Sequence, residues 1–237
     1  MTVRVRRVTT TRAGGVSAPP YDSFNLGDHV GDDPAAVAAN RDRLARSIGL
    51  PADHVVWMNQ VHGVHVEAVD APRSEPLDGT DALVTGTPGL ALAVISADCV
   101  PVLLADARAG VIGAAHAGRV GSAGGVVLRT VEAMLAAGAH AADITALLGP
   151  AVSGPNYEVP EEMAADVEAK LPGSRTTTPK GTPALDLRAG IARQLVSAGV
   201  TAIDIDPRCT VADRSLFSHR RGAPTGRLAS LVWMEQP

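Results

Sequence analysis

The sequence predicts an α+β fold, one domain over residues 1–237 with mixed β-sheets flanked by helices. Three observations predict it. Short β-type runs and amphipathic segments are interleaved without the strict βαβ alternation of a doubly wound fold. Two apolar stretches, LALAVISADCVPVLLAD (90–106) and GVIGAAHAG (110–118), are rich enough in Val, Leu, Ile and Ala to read as strands buried on both faces. No repeat or linker divides the chain, and 237 residues with 46% hydrophobic content are enough for one substantial core.

The elements follow in order. VRVRRVTT (3–10) alternates and is β-branched, so it reads as a strand. Residues 11–34 are a long loop rich in Gly, Pro, Asp and Ser, and loops of that length in a compact domain are functional or disordered. AAVAANRDRLARSIGL (35–50) has helical spacing, with Asp33 as N-cap and Gly49 as stop. HVVWMNQVHG and VHVEAVD are two β-type runs joined at Gly63. The two long apolar stretches form a strand pair turned at RAG (108–110). SAGGVVLRTVEAMLAAGA is helical, ITALLGPAV is a strand, and VPEEMAADVEAKL and DLRAGIARQLVSAGV are helices with a surface loop, RTTTPKGTP, between them. The end, residues 209–233, reads as loop, strand and closing hairpin.

Composition excludes several functions. A net charge of −4 gives no reason to expect nucleic acid or an anionic membrane as partner. The longest apolar run is interrupted by Asp98 and Cys99 and is too short to span a bilayer, and no apolar segment follows the charged start as in a secretory signal. Two cysteines give no disulfide framework, and a cytoplasmic location is expected. Only Lys170 and Lys180 are lysines, so the positive charge is carried by guanidinium groups suited to planar anions.

Three residues stand at or near the ends of β-type runs: His62 in NQVHG, Cys99 in SADCVP and His116 in AAHAG. Each has a structural explanation, as a core histidine or an inert buried thiol. Together they are a borderline-soft donor set suited to Zn²⁺, with a fourth tetrahedral position left for water or substrate. Their spacing is no compact motif, so the residues alone leave both readings open. Asp98, in an apolar run, needs a partner. It can orient a ligand histidine, serve as general base, or cap a turn. Asp81 in DGTDALVT carries the same choice, with the turn favoured.

TRAGGVS, SFNLGDHVGDDP, NRDRLA, NQVHG, DALVT, SADCVPVLLAD, GAAHAG, LGPAVSGPNYEV and FSHRRGAPTGR occur in that order over almost the whole chain. This series resembles the laccase-like family of multicopper polyphenol oxidases. Its members are also known as zinc-dependent purine nucleoside phosphorylases and adenosine deaminases, and as peptidoglycan editing factors. The resemblance implies His62, Cys99 and His116 as metal ligands and catalytic residues, Zn²⁺ rather than copper as cofactor, and a purine nucleoside (adenosine, inosine or methylthioadenosine) and phosphate as substrates. Arg41, Arg12 and Arg119 are candidates for phosphate, Asn25 for ribose or base, and Asp98 for the acid–base role. Two departures stand out. The family's HAGWRG is HAGRVG here, so the tryptophan is absent and the arginine comes one position earlier. Pro155 and Asn156 occupy the place of the paired cysteines of GPAIGPCCYEV, which weakens copper loading. The rival readings are a Cys99 hydrolase acting on peptidoglycan precursors, a polyphenol oxidase, and a non-catalytic partner of the cell-wall machinery.

Overall fold

The structure, a computed structural model, describes residues 2–236. β1 (Val5–Thr9) is followed by the long loop and then by α1 (Pro34–Ser47), whose first turn is closed by Asp33 accepting from the Ala35 N–H at 2.9 Å. β2 (Val55–Val56), β3 (Met58–Asn59), β4 (Val66–Ala68) and β5 (Leu77–Asp78) are short. β6 (Ala82–Thr85), β7 (Ala91–Ser96), β8 (Val100–Asp106) and β9 (Val111–Ala117) are buried along their whole length. Then come α2 (Arg119–Ala123), α3 (Val126–Ala136), β10 (Thr145–Leu148), α4 (Glu161–Lys170), β11 (Arg175–Thr177) and β12 (Pro183–Leu185). α5 (Leu187–Ser197), β13 (Ala202–Ile205) and β14 (Leu228–Met234) complete the chain.

Two mixed sheets form the centre. One has the order β1-β14-β7-β2 and the other β13-β10-β8-β9-β6-β4. Strand alternation explains why both are apolar on both faces. Leu103, Ile112 and Ala114 of the six-stranded sheet meet Leu92, Val94 and Val232 of the four-stranded one. Val102, Leu104 and Ala115 point the other way, onto α3, α4 and α5. The outer face of the four-stranded sheet, with Ala93, Ile95 and Trp233, is covered by Leu44 and Ala45 of α1. The result is four layers, helix–sheet–sheet–helix. Among the described residues no helix is long and apolar enough to cross a membrane.

Several expectations need correction. The run 90–106 is not one strand: it divides at Ala97–Cys99, where the chain leaves the four-stranded sheet as β7 and enters the six-stranded sheet as β8. The helix expected over 122–139 is interrupted at Gly124–Gly125, where Gly125 takes φ 86°, a conformation glycine adopts without penalty. RTTTPKGTP contributes to a hairpin, β11 with β12. The closing hairpin is absent, because β14 lies between β1 and β7, antiparallel to both.

Leu103 is fully buried between the two sheets. Leu103→Ala is expected to lower unfolding free energy by about 2–5 kcal/mol, the lost transfer of the deleted carbons plus the cost of a cavity. Urea denaturation measures it, and a loss below about 1 kcal/mol would show that the two sheets can close over the gap.

Candidate metal centre

The sheet-to-sheet crossover builds the site. Cys99 sits at the crossover itself, one residue before β8. His116 is the penultimate residue of β9 and lies opposite Pro101 of β8, so the strand ladder brings it beside the crossover. His62 lies on the turn after β3. Among the described residues His62 (φ 60°) and Asp98 (φ 102°) are the non-glycine residues with positive φ. Such backbone is costly, and it is held here at both edges of one cluster.

The three ligand atoms lie within 4.8 Å of one another. Cys99 Sγ is 3.8 Å from His62 Nε2, and the rings of His62 and His116 meet edge to face at 4.7 Å. A tetrahedral zinc with ordinary Zn–S and Zn–N bonds sets its ligand atoms about 3.4–3.6 Å apart. The donor set therefore fits such an ion with a small closure. Space confirms how tight the arrangement is: a Cβ on Gly118 would stand 2.8 Å from His62 Cδ2 and 3.1 Å from Cys99 Sγ. His116 is buried, Cys99 partly so, and His62 faces outward.

The carboxylate that meets a ligand histidine is Asp81, not Asp98. Asp81 is fully buried and its Oδ1 accepts from His116 Nδ1 at 2.9 Å. It also accepts the backbone N–H groups of Val61, His62 and Gly63. The turn reading of Asp81 is thus only half of its role. Burial alone would lower the basicity of His116, but the bonds to Asp81 and Cys99 override it and raise its pKa to about 9. Burial would likewise push the Cys99 thiol up, yet His116 and His62 bring it down to about 6. Asp98 also lines the pocket but meets neither ligand ring. Its oxygens accept from Thr210 Oγ1, Ser218 Oγ and the Arg220 N–H, which ties the crossover to the C-terminal loop.

The cluster opens into a pocket of about 340 Å³. Of the candidate substrate residues, Arg119 lines it. The other three do not. Arg12 is paired with Asp22 and stacked over Phe217, and Arg41 is paired with Asp28 and lies 4.3 Å above Trp57. Asn25 is buried with its amide turned to Gly27 and Asp32, and its Oδ1 accepts from the N–H groups of Gly27 and Arg227. It supports the pocket wall at one remove. The sequence reading missed Tyr157, Arg220 and Arg227, which also line the pocket. Arg220 lies 5.1 Å from the Tyr157 ring. Burial pushes the Tyr157 phenol up, against the pull of the Arg119 guanidinium. SHRRG and PTGR held the signal, as arginines between small residues in a loop.

In a second grouping, Asp106, His140 and Asp143, both carboxylates are already engaged. Asp106 accepts the N–H groups of Arg108, Ala109 and His140, and Asp143 is paired with Arg108. It braces the turn between β8 and β9.

Known proteins resemble the chain in sequence and in fold. A Mycobacterium tuberculosis protein named purine nucleoside phosphorylase is 73% identical over 99% of this chain and 94% of its own length. One of that name from Corynebacterium glutamicum is 60% identical over 97% and 94%. The crystal structure of Bacillus licheniformis YfiH superposes with a TM-score of 0.92 at 33% identity, covering 98% of this chain and 93% of that one. YlmD of Geobacillus stearothermophilus superposes with 0.88 at 34%, covering 98% and 92%. The profile of the family described as multi-copper polyphenol oxidoreductase laccase matches residues 6–235, and the chain belongs to that family.

Proposed function

We propose that the protein is a zinc-dependent purine nucleoside phosphorylase that also deaminates adenosine. One observation carries the reading: a three-donor His/Cys/His cluster shares its pocket with Arg119, Arg220 and Arg227. Among the described residues none of these arginines is within 4 Å of a carboxylate oxygen in an ion pair. Guanidinium groups without counter-ions beside a metal-type donor set suit an oxyanion substrate. The names of the relatives point to phosphate as that anion.

His62, Cys99 and His116 would hold the ion, which when bound supplies Lewis acidity and makes water more acidic. Tyr157 and the apolar side chains Ile95, Val152 and Leu187 offer a wall for a flat base. The arginines would hold phosphate for attack at C1′ of the ribose, as the bond to the purine nitrogen breaks and the base departs with a proton. Deamination exchanges the C6 amino group for water oxygen and needs no phosphate. A single three-donor centre does not match the several coppers of an oxygen-reducing oxidase. Both cysteines are free, in keeping with a cytoplasmic location.

The test incubates metal-analysed protein with adenosine, inosine and methylthioadenosine, with and without phosphate, and follows products by mass. Free base and pentose 1-phosphate are expected only with phosphate, and inosine from adenosine without it. Absence of any conversion would overturn the proposal.

The Cys99 hydrolase reading rests on one observation too, a lowered thiol beside a raised imidazole. Alkylation separates the two. A metal-bound thiolate is expected to resist iodoacetamide until a chelator is added. Fast labelling with zinc still bound would favour thiol catalysis on a peptidoglycan precursor.

A further inference from the structure

We infer that Asp81 is the positioning residue of the centre, a single carboxylate that sets both histidine ligands, one through its ring and the other through its backbone. The inference rests on the cluster being a metal site and is independent of the phosphorolysis reading.

The two oxygens divide the task. Oδ1 accepts from His116 Nδ1 at 2.9 Å and from the His62 N–H at 3.0 Å. Oδ2 accepts from the Gly63 N–H at 2.7 Å and the Val61 N–H at 3.2 Å. A proton kept on His116 Nδ1 leaves the Nε2 lone pair free for an ion. The three successive N–H donors hold residues 61–63 around the carboxylate, and that turn carries His62 at φ 60°, a conformation a non-glycine residue does not adopt without support. A second link closes the arrangement, because the His116 N–H donates to the Asp81 carbonyl at 2.8 Å. His62 and His116 are 54 positions apart in the chain and otherwise lie on separate segments. Asp81, one residue before β6, bonds to both from outside the ligand set.

Asparagine at this position has the same shape but brings a donor where only acceptance works. With its NH₂ on the Oδ2 side it faces two backbone N–H groups. With its NH₂ on the Oδ1 side it faces the His62 N–H and forces His116 Nδ1 to accept, which moves the ring proton to Nε2, where an ion would bind.

Asp81→Asn is therefore expected to weaken Zn²⁺ binding about 10- to 100-fold, the usual effect of losing such an orienting partner. Competition with a chromophoric chelator measures it. The thiolate–Co²⁺ and ligand-field bands of the Co²⁺-substituted protein should also shift. Asp106→Asn is the control, since Asp106 is an equally buried carboxylate with three N–H donors and no ligand ring, at the far end of β8. It should lose stability and keep zinc affinity. If Asp81→Asn does not fold, ¹⁵N spectra of zinc-loaded wild-type protein decide: Nδ1 of His116 should carry the proton and Nε2 the metal, and the reverse pattern overturns the role. Equal zinc affinity in wild type and Asp81→Asn overturns the role and leaves the metal site standing. A wild type that binds no zinc removes both.

Discussion

Cys99→Ser is expected to strip the protein of zinc, from about one ion per chain to almost none, and to lower kcat/KM for every nucleoside by at least about 1,000-fold, or roughly 4 kcal/mol of transition-state stabilisation. Serine keeps the size of the side chain but not the thiolate, and two histidines alone do not hold the ion in a three-donor site. Elemental analysis and steady-state rates on the same preparation make the test. Chelated wild type should show the same loss and recover with zinc, whereas the variant should not recover. A chelated wild type that stays fully active would sink the metal reading. The pH dependence of loading follows from the two shifted ligands. His116 holds its proton up to about pH 9 in the metal-free protein, so loading below that releases one proton from it. Cys99 is already a thiolate above about pH 6, and below that value a second proton must leave. These two ligands therefore make zinc affinity rise about tenfold per pH unit between those values and about a hundredfold per unit beneath them. Isothermal titration in buffers of different ionisation enthalpy counts the protons.

His62, Cys99 and His116 could be picked out as chemically notable because each ends a β-type run beside a small residue. Their convergence could not be read from spacing, since it depends on a strand that changes sheets at Cys99. That crossover is hidden in the sequence because β7 and β8 are both covered on both faces, so the run stays apolar across the break. Which aspartate meets a ligand histidine was hidden for a similar reason. Asp98 draws notice by its apolar neighbours, yet it serves the C-terminal loop through Thr210 and Ser218. Asp81 looks like part of a Gly-Thr turn, and its role exists only because residues 61–63 fold back onto it. The arginines show the limit most directly. Arg12, Arg41, Arg119, Arg220 and Arg227 are alike as residues, and what separates them is whether an aspartate has already claimed the guanidinium. For Arg12 and Arg41 one has.

Arg119→Ala is expected to lower phosphate-dependent kcat/KM about 10- to 150-fold while leaving deamination of adenosine nearly intact. Losing a charge-assisted contact costs about 1.5–3 kcal/mol, which at about 1.4 kcal/mol per decade gives that range. Among the candidate arginines Arg12, Arg41 and Arg119, it is Arg119 that lines the pocket. Of HAGRVG, Arg119 lines the pocket while Val120 is 55% exposed, so of these two positions it is the arginine that faces the cluster. It stands beside Tyr157, which also has Arg220 over its ring. Arg119 opens α2 directly after Gly118, where even a Cβ would press on both His62 and Cys99, so backbone damage at this point would disturb the metal as well. That supplies the internal control. Loss of both activities together with zinc would assign Arg119 to the scaffold of the centre. Loss of phosphorolysis alone, with a raised KM for phosphate and one zinc retained, assigns it to the anion. If neither activity changes, Arg220 and Arg227 hold the phosphate without it, and the double variant Arg119→Ala/Arg220→Ala should then behave no worse than Arg220→Ala alone.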